Sequence, residues 1–244
     1  MLELDDVTVT FAAGPPFRRI RLDAMRHVSL SVGEGETLGL VGESGSGKTT
    51  TSRVALGLQR PTAGTVRFDG RPFPRRRREL AGRMQAVLQH PHWSLNPRMR
   101  VGQSVAEPLD VLGRTDGNAV TEMLEHVGLS ADFAGRYPHE LSGGQRQRVS
   151  IARALVTRPG FLVFDEAVSA LDVSVQVQIL NLIKDLQAEY GFSALFISHD
   201  LGAVRYVADR IAVMRAGEVV ETADTRTFYT APAHEYSKQL LEAL

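Results

Sequence analysis

The sequence predicts an α/β fold, a mostly parallel sheet with a helical subdomain inserted between its strands. Three observations lead there. Short apolar runs alternate with longer stretches of helical period, the order produced when strands are linked by crossover helices. Several of those runs are apolar at every position, as a strand covered on both faces requires. Between about residues 90 and 157 the strand-like runs vanish, and helix-compatible segments punctuated by Pro97, Gly113, Gly117, Gly128 and Pro138 replace them.

Along the chain, Thr37-Leu-Gly-Leu-Val41 predicts a buried strand running into a glycine-rich turn. A helix is expected over 49–58, closing near Gly57 and stopped by Pro61. Strands are expected at 65–69 and 84–88, helices at 101–112, 120–127 and 145–157, and a central strand at Phe161-Leu-Val-Phe164. Apolar residues at 175, 179, 182, 183 and 186 mark one face of an amphipathic helix. Runs at 194–197 and 211–214 repeat the buried-strand signature. Tyr236, Leu240 and Leu244 recur every four residues, which predicts a terminal helix packed on its own domain.

Composition narrows the classes of function. A chain of 244 residues with 43% hydrophobic and 23% charged side chains buries the core of one domain and excludes extensive disorder. Lys+Arg and Asp+Glu number 28 each, so no excess of cations is available to track a nucleic-acid backbone. The lack of cysteine excludes disulfides, thiolate zinc sites and thiol nucleophiles. The acidic, alternating start is not a secretory signal, and the longest apolar runs fall far short of the ~20 residues that span a bilayer. Work at a membrane is therefore expected to go through a partner. The four cations of Arg75-Arg-Arg-Arg78 could form a patch for anionic lipid or phosphate, but in a neutral chain the solvated loop is the favoured reading. His90, His92 and His139 lack ligand spacing and acidic company, so a metal site there is not expected.

Three segments carry phosphate chemistry. Gly42-Glu-Ser-Gly-Ser-Gly-Lys-Thr49 fits G-x-x-x-x-G-K-[ST] between a strand and a helix. Gly42, Gly45 and Gly47 let the backbone, with Glu43, Ser44 and Ser46, bring its N–H groups close to a polyphosphate. The helix that begins near Lys48 and continues through Thr50 adds its positive end. Lys48 is expected to reach the β- and γ-phosphates, and the Thr49 hydroxyl to ligate Mg²⁺. The second segment, Phe161-Leu-Val-Phe-Asp-Glu166, delivers two carboxylates at the carboxyl end of a central strand, where open α/β sheets bind ligands. Asp165 is placed to hold Mg²⁺ and Glu166 to orient and deprotonate an attacking water. Leu141-Ser-Gly-Gly-Gln145 then sets Ser142, Gly143, Gly144 and Gln145 at a second helix N-terminus. One chain with two phosphate-binding ends suggests that the ends meet across a dimer.

These three motifs together resemble the ATP-binding subunit of ABC transporters, and the resemblance covers essentially the whole chain. It implies the P-loop NTPase fold of ABC ATPases: a core of 1–89 and 158–244 with an N-terminal antiparallel β part, and a helical subdomain of about 90–157. It implies further landmarks: Gln89 as a contact to Mg²⁺ and water, Ser169-Ala-Leu-Asp172 as a loop touching an opposite protomer, and His199 near the γ-phosphate. Phe11 would stack on adenine, with Phe17 close by as a competitor.

One stretch narrows the resemblance. Leu88-Gln-His-Pro-His-Trp-Ser-Leu-Asn-Pro-Arg98, followed by Val101-Gly-Gln and Glu107-Pro-Leu109, is similar to dipeptide, oligopeptide and nickel importers. So is Asp165-Glu-Ala-Val-Ser-Ala-Leu-Asp-Val-Ser-Val-Gln176, with Ala-Val in place of the commoner Pro-Thr. His92-Trp93 departs from that group, and the C-terminal extension of many relatives is not found before Leu244. The resemblance implies a peripheral ATPase on the cytoplasmic side of the inner membrane. Its partners would be two permease chains, a second identical or similar ATP-binding chain and, indirectly, a solute-binding protein, with no nucleic acid. An exporter, or an ABC ATPase acting on DNA or ribosomes, is the alternative.

Overall fold

The computed structural model describes residues 1–13, 20–74, 76–88, 95–114 and 116–242. They form two compact units, one of Met1–Arg77 with Ser193–Leu244 and one of Arg78–Phe192. Along the chain come β1 (Leu2–Ala13), β2 (Ile20–Val32), β3 (Thr37–Val41), α1 (Lys48–Ala55), β4 (Ala63–Phe68), β5 (Arg71–Pro72) and β6 (Met84–Leu88). Next are α2 (Val101–Val111), α3 (Gly117–His126), α4 (Gly143–Leu155), β7 (Phe161–Asp165), α5 (Val173–Tyr190) and β8 (Ser193–Ile197). The chain closes with α6 (Leu201–Val207), β9 (Arg210–Arg215), β10 (Glu218–Asp224), α7 (Thr225–Thr230) and α8 (Glu235–Glu242).

In the first unit an antiparallel sheet of order β2-β1-β4-β5 is built on a long ribbon of β1 and β2. The alternation of β1 holds while Leu2 and Leu4 are buried and Glu3 and Asp5 face out. An extra residue at Asp6, where φ is 51°, breaks the register and returns Val7 and Val9 to the buried face. The remaining strands of this unit run β10-β9-β3-β8, with β3 parallel to both β8 and β9 and β10 folded back on β9. Every residue of β3 and β8 is buried, in line with sequences that carry no polar side chain after Thr37 and Ser193.

Helix α6 lies directly on β3, and Gly39 makes that contact possible. A Cβ at Gly39 would lie 2.5 Å from Val204 Cγ1 and 3.1 Å from Ala208 Cβ. Gly39→Ala should therefore lower the unfolding free energy by about 1–3 kcal/mol, the usual cost of overpacking. Urea denaturation checks this, and adding Val204→Ala should restore part of the loss.

In the second unit β6 and β7 pair in parallel, with Leu88 opposite Asp165, and α2, α3 and α5 all pack on α4. Phe161, Leu162, Val163 and Phe164 are wholly buried. The expected helices are present with shifted ends: 48–55 for 49–58, 117–126 for 120–127, and 173–190 for the amphipathic stretch. The shifts follow from capping. Helices α1, α2 and α3 each stop at a glycine of positive φ (Gly57, Gly113, Gly128). In each, the next amide reaches back to the helix, as Leu58 N does to Arg53 O at 2.7 Å. Arg76, Arg77 and Arg78 are exposed, and Arg75 lies outside the described residues.

Candidate active site

The turn after β3 is held from outside by backbone. A Cβ at Gly42, where φ is 149°, would meet the Met214 carbonyl at 2.1 Å, and one at Gly47 would meet the Ala24 carbonyl at 2.5 Å. Gly217 N donates to Ser46 O at 2.9 Å, so the β9–β10 turn also braces the loop. Gly45, with φ of 81°, has open space beside it. Gly47 caps α1 in the left-handed region with no side-chain bond to the first turn. No side-chain oxygen of the cap residue competes for that helix end, an arrangement compatible with an anion there. Lys48 is buried, and its ammonium donates to Gly42 O at 2.7 Å and Glu43 O at 2.8 Å. Thr49 is exposed and Thr50 half-buried; Ser46 is buried, while Glu43 and Ser44 line a cleft of about 250 Å³ with Gly45, Arg215 and Tyr236.

Strand β8 ends beside this loop. Leu40 pairs with Ile197, so Gly42 and His199 each leave the same edge two residues later. His199 is exposed, and Asp200 caps α6 through Ala203 N at 3.1 Å.

In the second unit Asp165 closes β7 half-buried, and Glu166 follows at φ 54°. The Glu166 carbonyl is fixed by the Ser169 hydroxyl at 2.9 Å and the Ser169 amide at 3.3 Å, with Ala167 and Val168 buried between. Asp172 accepts from Val175 N at 3.0 Å as the cap of α5. The Ser174 hydroxyl and that amide hold its carboxyl below the usual range. Ser142 caps α4 reciprocally: its hydroxyl accepts from Gln145 N at 3.2 Å, and its own amide donates to Gln145 Oε1 at 2.9 Å. Gly143 is exposed, and Gly144 sits against α5, where a Cβ would lie 2.7 Å from Val175 Cγ1.

Phe11 lies half-buried on β1 opposite Leu22. Gln89, His90, His92, Trp93, Phe17 and Leu244 fall outside the described residues. His139 is exposed and stacks on Tyr137 at 5.7 Å. Among the described residues no group of three His, Cys, Asp or Glu side chains is placed to hold a metal ion, and no helix is long and apolar enough to cross a membrane. The donors expected for Mg²⁺, the Thr49 hydroxyl and the Asp165 carboxylate, are the hard oxygens that this ion takes. Sequence reasoning missed Tyr236 as a neighbour of the phosphate loop; its four-residue recurrence signals burial and nothing about the loop.

A family model described as ABC transporter matches residues 25–169. The chain belongs to the ABC transporter family. Its domain is an ABC ATPase, an enzyme of ATP hydrolysis. Over its full length the chain is 50% identical to a putative peptide import ATP-binding protein of Brucella abortus (strain 2308), covering 76% of it. It is 48% identical, over 91% of its length, to the oligopeptide transport ATP-binding protein OppF of Bacillus subtilis (strain 168), again covering 76%. With the dipeptide transport ATP-binding protein DppF of Lactococcus lactis it shares 45% identity over its full length and 81% of that protein. A solved dimeric ATP-binding cassette, in a post-hydrolysis state bound to ADP and Pi, matches with a TM-score of 0.79 and 31% identity. The match covers 93% of this chain and 99% of that one.

Proposed function

We propose that this ABC ATPase powers the uptake of peptides as the ATP-hydrolysing subunit of an importer. Full-length identity of 50% to a protein named for peptide import carries the cargo reading, and the relatives' names favour peptides over nickel or other metal chelates. The chain would dock peripherally on two permease chains at the cytoplasmic face of the membrane and pair with a second ATP-binding chain. The solved dimeric cassette supports the pairing, as does the presence of two phosphate-binding ends in one sequence. Residues 90–157 would form the helical subdomain and 1–89 with 158–244 the ATPase core.

The roles follow the chemistry of each group. The 42–49 backbone and Lys48 grip the phosphates; Thr49, Asp165 and Gln89 would hold Mg²⁺. When bound, that ion neutralises charge on the β- and γ-phosphates. Glu166 holds a water and takes its proton. His199 faces the γ-phosphate, Phe11 stacks on adenine, and 142–145 meets the nucleotide of the second chain. Two chains closing on two ATP molecules bind the nucleotide best when shut, so loss of the γ-phosphate reopens them.

Deleting the gene in its host should abolish uptake of labelled di- or oligopeptides, with recovery on return of the intact gene but not of a Glu166→Gln copy. Undiminished peptide uptake together with lost nickel uptake would reject peptides in favour of a metal chelate.

A further inference from the structure

The terminal helix reaches the phosphate loop through one side chain. Tyr236, in the first turn of α8, is 2% exposed, and its phenolic oxygen accepts from the Glu43 amide at 3.1 Å. The Arg215 guanidinium covers its ring at 4.8 Å. The segment that delivers it is itself anchored. Glu221 on β10 accepts from the amides of Ala233 and His234 at 2.8 and 2.9 Å, and His234 Nδ1 accepts from the Tyr236 amide at 3.0 Å. Glu43 is the second residue of the glycine-rich turn, and its carbonyl receives both the Lys48 ammonium at 2.8 Å and Ser46 N at 3.2 Å. A continuous chain of hydrogen bonds therefore runs from β10 through α8 to the phosphate-binding lysine.

Burial pushes the Tyr236 phenol up from its ordinary value; the Glu43 amide opposes that rise and the Glu43 carboxylate reinforces it. The hydroxyl thus keeps its proton at neutral pH and can donate to that carboxylate while accepting from the amide.

We propose that Tyr236 is a positioning residue for ATP binding: it holds Glu43, and through it Lys48, in the shape that receives the triphosphate. The seating of α8 then sets nucleotide affinity. This rests on the reading that residues 42–49 bind the triphosphate.

Tyr236→Phe in the full chain keeps the ring and its cover and removes only the hydroxyl. The KM for ATP and the Kd of a non-hydrolysable ATP analogue should rise three- to tenfold, with kcat unchanged and the thermal midpoint lowered slightly by the lost hydrogen bond. Hydrogen exchange in the unaltered protein gives a second reading, because the Glu43 amide should exchange more slowly than those of exposed Ser44 and Gly45. Unaltered affinity in Tyr236→Phe, a fall in kcat at constant KM, or an unprotected Glu43 amide would overturn the proposal while leaving the phosphate-loop reading intact. Failure of the unaltered chain to bind the analogue would overturn that reading and this role with it.

Discussion

Glu166→Gln should bind ATP as the unaltered chain does and lose about 100- to 1,000-fold of its turnover. A positioned general base contributes roughly 10²–10⁴ to rate, and Gln retains the size and hydrogen bonding of Glu without its basicity. The backbone argues that the side chain is aimed rather than incidental. Glu166 occupies the left-handed region at φ 54°, a conformation costing a non-glycine residue roughly 1–2 kcal/mol. It is kept there by both Ser169 contacts to its carbonyl and by the burial of Ala167 and Val168. Under the proposed roles the variant should also accumulate as an ATP-dependent dimer, since closure needs binding and reopening needs hydrolysis. Phosphate release in a single turnover and size-exclusion chromatography with ATP measure the two effects. Turnover within threefold of wild type would place the base elsewhere.

Where the sequence spoke plainly, it did so because one physical requirement dominated. Strands β3, β7 and β8 are covered on both faces, so they admit apolar residues almost throughout, and their runs stand out. The glycines at 57, 113 and 128 mark helix ends because only a residue tolerant of positive φ closes the motif seen there. The β1–β2 ribbon is harder to read. Its alternation is interrupted at Asp5 and Asp6 by a bulge, and a bulge leaves no composition of its own.

The site shows the same division. The glycine-rich turn after β3 is legible because Gly42 and Gly47 face backbone carbonyls at distances that no side chain could share. Gly144 carries a different requirement from the one its motif suggests. Its missing Cβ lets α4 approach Val175 on α5, a packing constraint added to any phosphate contact. Tyr236 lies 193 residues from Glu43, and periodicity within α8 is blind to a partner so distant. For Phe11, half-burial on an antiparallel ribbon fits core packing and adenine stacking equally, so the resemblance alone carries that role.

Lys48→Ala should lower ATP affinity by about 10- to 100-fold, the range of one charged hydrogen-bonding group worth about 1.5–3 kcal/mol. The remaining attraction, from the N-terminal end of α1, is worth roughly 0.3–1 kcal/mol and cannot compensate. The same change acts before any nucleotide arrives. The Lys48 ammonium ties the Gly42 and Glu43 carbonyls together at 2.7 and 2.8 Å, so its removal leaves two acceptors without their cation. The variant should therefore also unfold at a lower temperature than wild type in nucleotide-free buffer. Lys48→Arg separates the two contributions. A guanidinium restores the charge, but its planar fork cannot direct tetrahedral donors to both carbonyls and a phosphate from a buried position. Affinity should stay low in Lys48→Arg, and full recovery there would mean that charge alone, and not the point geometry of the ammonium, governs the grip. Isothermal titration with a non-hydrolysable ATP analogue and thermal scans of the three proteins read both effects.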